Sequence, residues 1–162
     1  LHFSRELMKR LEINGINEAY ITLHCGLGNF HEIEVEDLTK HKMDSEQMII
    51  SQEACDLVNK TKLAGHRVCA IGTSVMKATE TAVGTDGMMK AFDGWTNKFI
   101  FPPYEFGLAD CAVVNFYHPE STLMMSTAAF GGYELVYEAY KMAVKNGYMF
   151  GCYGDSLLML PD

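Results

Sequence analysis

The order of segments predicts an α/β protein, a mixed and largely parallel sheet flanked by helices, folded as a single domain over residues 1–162. Three observations carry that prediction. Runs rich in β-formers alternate with stretches of helical periodicity, each about ten residues long. The run Val68-Cys69-Ala70-Ile71 is continuously apolar and ends in Gly72-Thr73-Ser74, the pattern of a buried parallel strand feeding a helix. Hydrophobic residues make up 48% of the 162 positions, and a chain of this size buries roughly 70% of the surface that its unfolded form exposes, so it needs neither disulfides nor a metal clip to build a core.

Taken in order, Leu7, Met8 and Leu11 place an amphipathic helix over 4–14, capped by Ser4 and stopped by Gly15. Residues 19–24 are rich in β-formers and run as a strand into the turn Gly26-Leu27-Gly28. The alternation of Phe30, Ile33 and Val35 predicts a strand over 30–36, and Gln47 to Ile50 predicts another. Ser51 caps a helix with Ala54, Leu57 and Val58 on its buried face, closed by Gly65. After the strand at 67–71 come a helix at 75–82 and a turn at 84–87. Phe99-Ile100-Phe101 and Cys111 to Val114 read as buried strands. Helices at 121–130 and up to Asn146-Gly147 are broken by Gly131-Gly132, and a last strand is expected at 148–153.

Composition excludes several classes. With 21 acidic against 13 basic side chains and a net charge of −8, the chain does not read as a free-standing nucleic-acid binder, whose phosphate contacts come mainly from Lys and Arg. Apolar stretches such as Leu123 to Phe130 fall short of the ~20 residues that span a bilayer, so no membrane is expected as partner. The five cysteines are widely spaced and form no C-x-x-C pair, which predicts small buried thiols in a reducing, cytoplasmic setting. No signal segment is visible, and the start at Leu1 just ahead of a helix suggests a piece of something longer.

In an α/β sheet, ligands sit at the carboxyl ends of strands. Gly72-Thr73-Ser74 opens a helix whose free N–H groups and hydroxyls suit a carboxylate or phosphate; a simple Thr N-cap is the plainer reading of the same residues. His24, followed by Cys25-Gly26-Leu27-Gly28-Asn29-Phe30, is either an acid–base group or a hydrogen-bonded turn histidine. His41, Asp44 and Glu46 carry metal-ligand chemistry, but their spacing matches no standard site, and the segment reads as a solvated loop with no metal. Asn115-Phe116-Tyr117-His118-Pro119-Glu120-Ser121-Thr122 and Tyr153-Gly154-Asp155-Ser156 are dense polar connections of the kind that carry function.

Taken together, these motifs resemble the S-adenosylmethionine:tRNA ribosyltransferase-isomerases of queuosine biosynthesis. Leu1-His2-Phe3-Ser4, Leu23 to Phe30, His41 to Glu46, Gly72 to Glu80, Gly94-Trp95-Thr96, Asn115-Phe116 with Pro119, Ser121-Thr122-Leu123 and Tyr153-Gly154-Asp155 match in order. The resemblance implies the C-terminal portion of a longer enzyme, with upstream strands and an inserted β-barrel domain lying outside this stretch. It implies transfer of the ribosyl moiety of S-adenosylmethionine to 7-aminomethyl-7-deazaguanine in tRNA. Epoxyqueuosine forms, and adenine and methionine are released. S-adenosylmethionine is then a co-substrate, with no separate cofactor, and the intact enzyme is expected to be a monomer in the cytoplasm.

On that resemblance His24 is the candidate catalytic residue. Candidate substrate-binding residues are His2, Phe3, Gly26, Gly28, Phe30, Gly72, Thr73, Ser74, Lys77, Glu80, Asn115, His118, Ser121, Thr122, Tyr153 and Asp155. Basic contacts to tRNA are expected largely in the part of the enzyme outside this stretch, or in local patches such as Lys40-His41-Lys42 and Lys60 to Arg67. Departures from the family pattern include Lys77 for Arg, Asp44 for His, the order Tyr117-His118, Glu120 for Lys and Pro103 for Gly. They motivate an alternative from another class, a catalytically inactive paralogue serving as an S-adenosylmethionine- or nucleotide-binding module.

Overall fold

The computed structural model describes residues 2–30 and 32–160. Five helices and six strands alternate along the chain. They are α1 (Arg5–Ile13), β1 (Ile21–Leu23), β2 (Glu46–Ile50), α2 (Gln52–Leu63), β3 (Cys69–Ile71), α3 (Thr73–Ala82), β4 (Phe92–Thr96), β5 (Cys111–Asn115), α4 (Thr122–Gly131), α5 (Tyr133–Lys145) and β6 (Ser156–Met159). The α/β class is as expected. The strands divide between two three-stranded sheets, in the orders β1-β2-β4 and β3-β5-β6. The first is antiparallel throughout. The second pairs β3 parallel to β5, through Cys69 with Cys111 and Ala70 with Ala112, and closes with β6 antiparallel on the other side.

Local chemistry sets the helix ends. The Oγ atoms of Ser4, Ser51 and Ser121 each accept a hydrogen bond from the backbone N–H three residues on, so α1, α2 and α4 start where their first N–H groups find a partner. Gly132, at φ 79°, both ends α4 and begins α5.

Three strand expectations are corrected. Among the described residues 32–36, the only pairing is an isolated bridge from Glu32 to Ser121, because that segment crosses over the start of α4 and runs along no neighbouring strand. Phe99 to Phe101 pairs with no strand; its side chains pack instead, with Phe99 against both His41 and Phe101. Residues 148–154 form a turn with Gly151 at φ 88°, and the strand follows it as β6. One strand, β4, has no counterpart in the periodicity, since Asp93 and Gly94 interrupt it and pairing with β2 holds it. Of the five cysteines, Cys55 and Cys111 are buried as expected. Cys25, Cys69 and Cys152 are exposed, because they lie on the turn after β1, on the edge strand β3 and on the turn before β6.

The two sheets share one helix. Met76 of α3 belongs to a core with Ala70, Ala112, Val114, Phe116, Val136, Tyr140 and Met159. Ala78 and Ala82 belong to the other core, with Met48, Ile50, Cys55, Met89 and Leu108. Seven of the ten residues of α3 are buried, among them the charged Lys77 and Glu80. Such a helix stays folded only if each polar group on it finds a partner.

Just before α4, Glu120 sits in the left-handed region at φ 64°, the one non-glycine residue there among the described residues. Its carbonyl accepts from Ile33 N–H at 3.1 Å, which fixes the conformation. Glycine reaches this region without a Cβ clash. Glu120→Gly is therefore expected to raise stability by about 0.5–1 kcal/mol, net of the entropy that glycine adds to the unfolded chain. The measurement is a higher urea midpoint at unchanged slope.

Candidate functional site

A small cavity opens where the turn after β1, the start of α3 and the start of α4 meet. Leu23, Asn29, Glu46, Thr73, Ser74, Lys77, Lys98 and Thr122 are among its lining residues. Its volume of about 20 Å³ admits one water-sized group. Thr73, Ser74, Lys77 and Thr122, all expected substrate contacts, thus converge on one place.

The start of α3 is positioned by Gly72. At φ 95° and ψ 149° it turns the chain from β3 into the helix, a conformation that favours glycine. Its N–H donates to Val113 O at 2.8 Å, which ties the bend to β5. No side chain caps α3, so the plain N-cap reading of Thr73 does not hold. Thr73 Oγ1 donates to Tyr117 Oη at 3.3 Å, and Ser74 Oγ lies 3.6 Å from Cys25 Sγ. One turn further on, Lys77 Nζ donates to Glu46 Oε2 at 2.6 Å.

Glu46 was expected in a solvated loop. It is instead 3% exposed, with both oxygens occupied. Besides Lys77, its carboxylate accepts from Gly26 N–H at 2.8 Å and from Asn29 Nδ2 at 2.6 Å. The glycine turn that follows His24 is thereby held against α3. Gly28 is buried within that turn, and a Cβ there would run into the Asp44 carboxylate. Thr122 Oγ1 is the one buried side-chain oxygen or nitrogen among the described residues that lacks a hydrogen-bond partner. It belongs to a residue only 2% exposed that lines the cavity.

Other expected site residues fall elsewhere. His24 directly follows β1, its N–H donating to Gln47 O at 2.8 Å, and it is exposed and outside the cavity wall. His2 and Phe3 are exposed ahead of α1, the exposed His118 offers Ser121 its carbonyl, and Tyr153 is exposed on a turn. Phe30 ends the turn after β1; its side chain, like Leu1, lies outside the described residues.

Asn115, Ser121 and Asp155 have structural partners. Asn115 Nδ2 donates to Gly151 O at 3.0 Å, and Asp155 Oδ2 accepts from Met149 N–H at 2.9 Å. These bonds close the turn at 149–155 over the end of β5. Ser121 caps α4 and donates to His118 O at 2.8 Å. The basic stretch from Lys60 to Arg67 is partly used internally, since Lys62 Nζ donates to the carbonyls of Gly107 and Leu108.

Glu80 lies at the far end of α3. It accepts from Gly107 N–H at 3.1 Å, Leu108 N–H at 3.2 Å and Tyr104 Oη at 3.1 Å, which anchors the loop before β5. Burial, and then the charge of Glu80, pushes the Tyr104 hydroxyl up to about 12. Lys98 Nζ, from the cavity wall, donates to the same hydroxyl at 3.2 Å. Glu46, Asn29 and Lys98 were not singled out by sequence reasoning as binding residues. Glu46 stood inside one of the quoted motifs, and only the fold shows what it pairs with.

A small polar cavity walled by helix starts thus lies where α/β frames commonly hold ligands. The chain belongs to the queuosine biosynthesis protein family, whose model matches residues 1–159. It is 65% identical over 160 residues to the S-adenosylmethionine:tRNA ribosyltransferase-isomerase of Parabacteroides distasonis, covering 99% of this chain and 46% of that one. The Clostridioides difficile enzyme of the same name is 43% identical, with 98% and 47% covered. A crystal structure of S-adenosylmethionine tRNA ribosyltransferase from Thermotoga maritima superposes with a TM-score of 0.81 at 36% identity, over 98% of this chain and 50% of that one. The chain thus spans about half the length of the curated relatives it matches.

Tyr104 gives a pH prediction. Its folded value lies above the unfolded one, so the stability it contributes is intact below pH 10 and is lost as pH rises toward about 12. Glu80→Gln removes the charge, and the Tyr104 phenolate is expected to form at lower pH, read by ultraviolet titration differenced against Tyr104→Phe.

Proposed function

We propose that the intact protein is an S-adenosylmethionine:tRNA ribosyltransferase-isomerase acting in the cytoplasm as a monomer. It moves the ribosyl moiety of S-adenosylmethionine onto 7-aminomethyl-7-deazaguanine in tRNA, gives epoxyqueuosine and releases adenine and methionine. S-adenosylmethionine is consumed as co-substrate, and no separate cofactor or metal is called for. The observation that carries this reading is the convergence of four separate motifs on one cleft, through Asn29, Glu46, Thr73 with Ser74 and Lys77, and Thr122.

The chemistry asks for a base beside the carbon acidified by the sulfonium, a place for the departing adenine and an anchor for the methionine carboxylate. The uncapped start of α3, with Ser74, suits the anchor, because free N–H groups and the helix dipole favour an anion there. His24 remains the candidate base; reaching substrate from its exposed place at the end of β1 requires the substrate to lie across the outside of the glycine turn. The lysine at position 77 retains the positive charge that the family's arginine supplies, which supports an active enzyme over an inactive paralogue.

The test is adenine release from S-adenosylmethionine by the intact protein with tRNA bearing the precursor base, followed chromatographically. Adenine is expected only when both substrates are present. S-adenosylmethionine binding without any adenine release would instead establish the inactive binding module.

A further inference from the structure

Glu46 reaches across three parts of the fold with one side chain. From the start of β2 it accepts the Gly26 N–H and the Asn29 amide on Oε1, and the Lys77 ammonium on Oε2. The ion pair is buried, with 3% of the Glu46 side chain and 9% of the Lys77 side chain exposed. An exposed pair of this kind would contribute little. A buried one, with its remaining lone pairs also satisfied, fixes geometry, because losing either partner strands a charge away from water.

Lys77 carries three donors, and Glu46 is its one hydrogen-bond acceptor among the described residues. Lys77 and Thr122 both line the small cavity, and Glu46 decides where the Lys77 ammonium points beside it.

We propose that Glu46 is a positioning residue: it locks the Gly26–Asn29 turn to Lys77 so that the ammonium is set to receive one oxygen of the bound substrate. This rests on the proposed reaction for its catalytic consequence. The anchoring of the turn stands apart from it and is read separately.

Two measurements on the intact protein test it. Glu46→Gln keeps the side chain's size and an acceptor for Gly26 but removes the charge that holds Lys77. In adenine release it is expected to lower kcat by about tenfold or more, since misplacement by an ångström costs on the order of 10²-fold, while KM for S-adenosylmethionine changes by less than about threefold. In hydrogen exchange without substrate, Glu46→Ala, which removes the acceptor of Gly26 and Asn29, is expected to speed exchange over 24–30 by about tenfold and leave α2 and α5 unchanged. A kcat within about twofold of the unsubstituted protein would overturn the catalytic role, and unchanged exchange over 24–30 would overturn the anchoring. If the unsubstituted protein releases no adenine, the proposed reaction fails, and the exchange result alone decides whether Glu46 anchors the turn.

Discussion

A helix buried on nearly all its faces cannot leave a charge unpaired, and that constraint organises this fold. α3 carries Lys77 and Glu80 into the interior, three residues apart on neighbouring turns. Each is answered by a different part of the chain. Lys77 is answered by Glu46, which in turn takes in the glycine turn after β1, and Glu80 by the backbone of Gly107 and Leu108 with Tyr104. The polar ends of one short helix thus specify where two loops rest, while its apolar positions join the cores of both sheets. Hydrophobic burial is non-directional and could not place those loops by itself. The hydrogen bonds supply the direction.

The same arrangement separates residues that build the cleft from residues that build its frame. Asn115 and Asp155 stand in conspicuous polar motifs, yet their side chains close a turn over the end of β5. Gly154 within that turn has no room for a Cβ, which would collide with the backbone of Met149 and Phe150. Thr73, Ser74, Lys77 and Thr122 face the cavity. Both groups look alike as polar clusters at strand ends, and only their partners tell them apart.

Much of the frame was legible in the sequence where the signal is local. Ser4, Ser51 and Ser121 mark helix starts because a hydroxyl meets an N–H three residues away, and Gly131-Gly132 marks the break between α4 and α5 for the same short-range reason. Strands read less well. β4 lacks an apolar run and exists through its pairing with β2, whereas Phe99 to Phe101 has the run and lacks a partner. In the site, the start of α3 was legible because a strand, a glycine and two hydroxyls follow one another directly. The Glu46–Lys77 pair was not, since 31 residues separate its members and no periodicity links them.

The sharing of α3 between two cores also sets how the molecule comes apart. Neither sheet can shed its packing without loosening the helix that the other rests on, so α3 couples the two sheets. The turn after β1 is tied to that helix by a few hydrogen bonds, whereas the connection from β5 to α4 is held in the core by Phe116. The cavity is therefore bounded by walls of different standing, and α3 is the one that both cores hold in place.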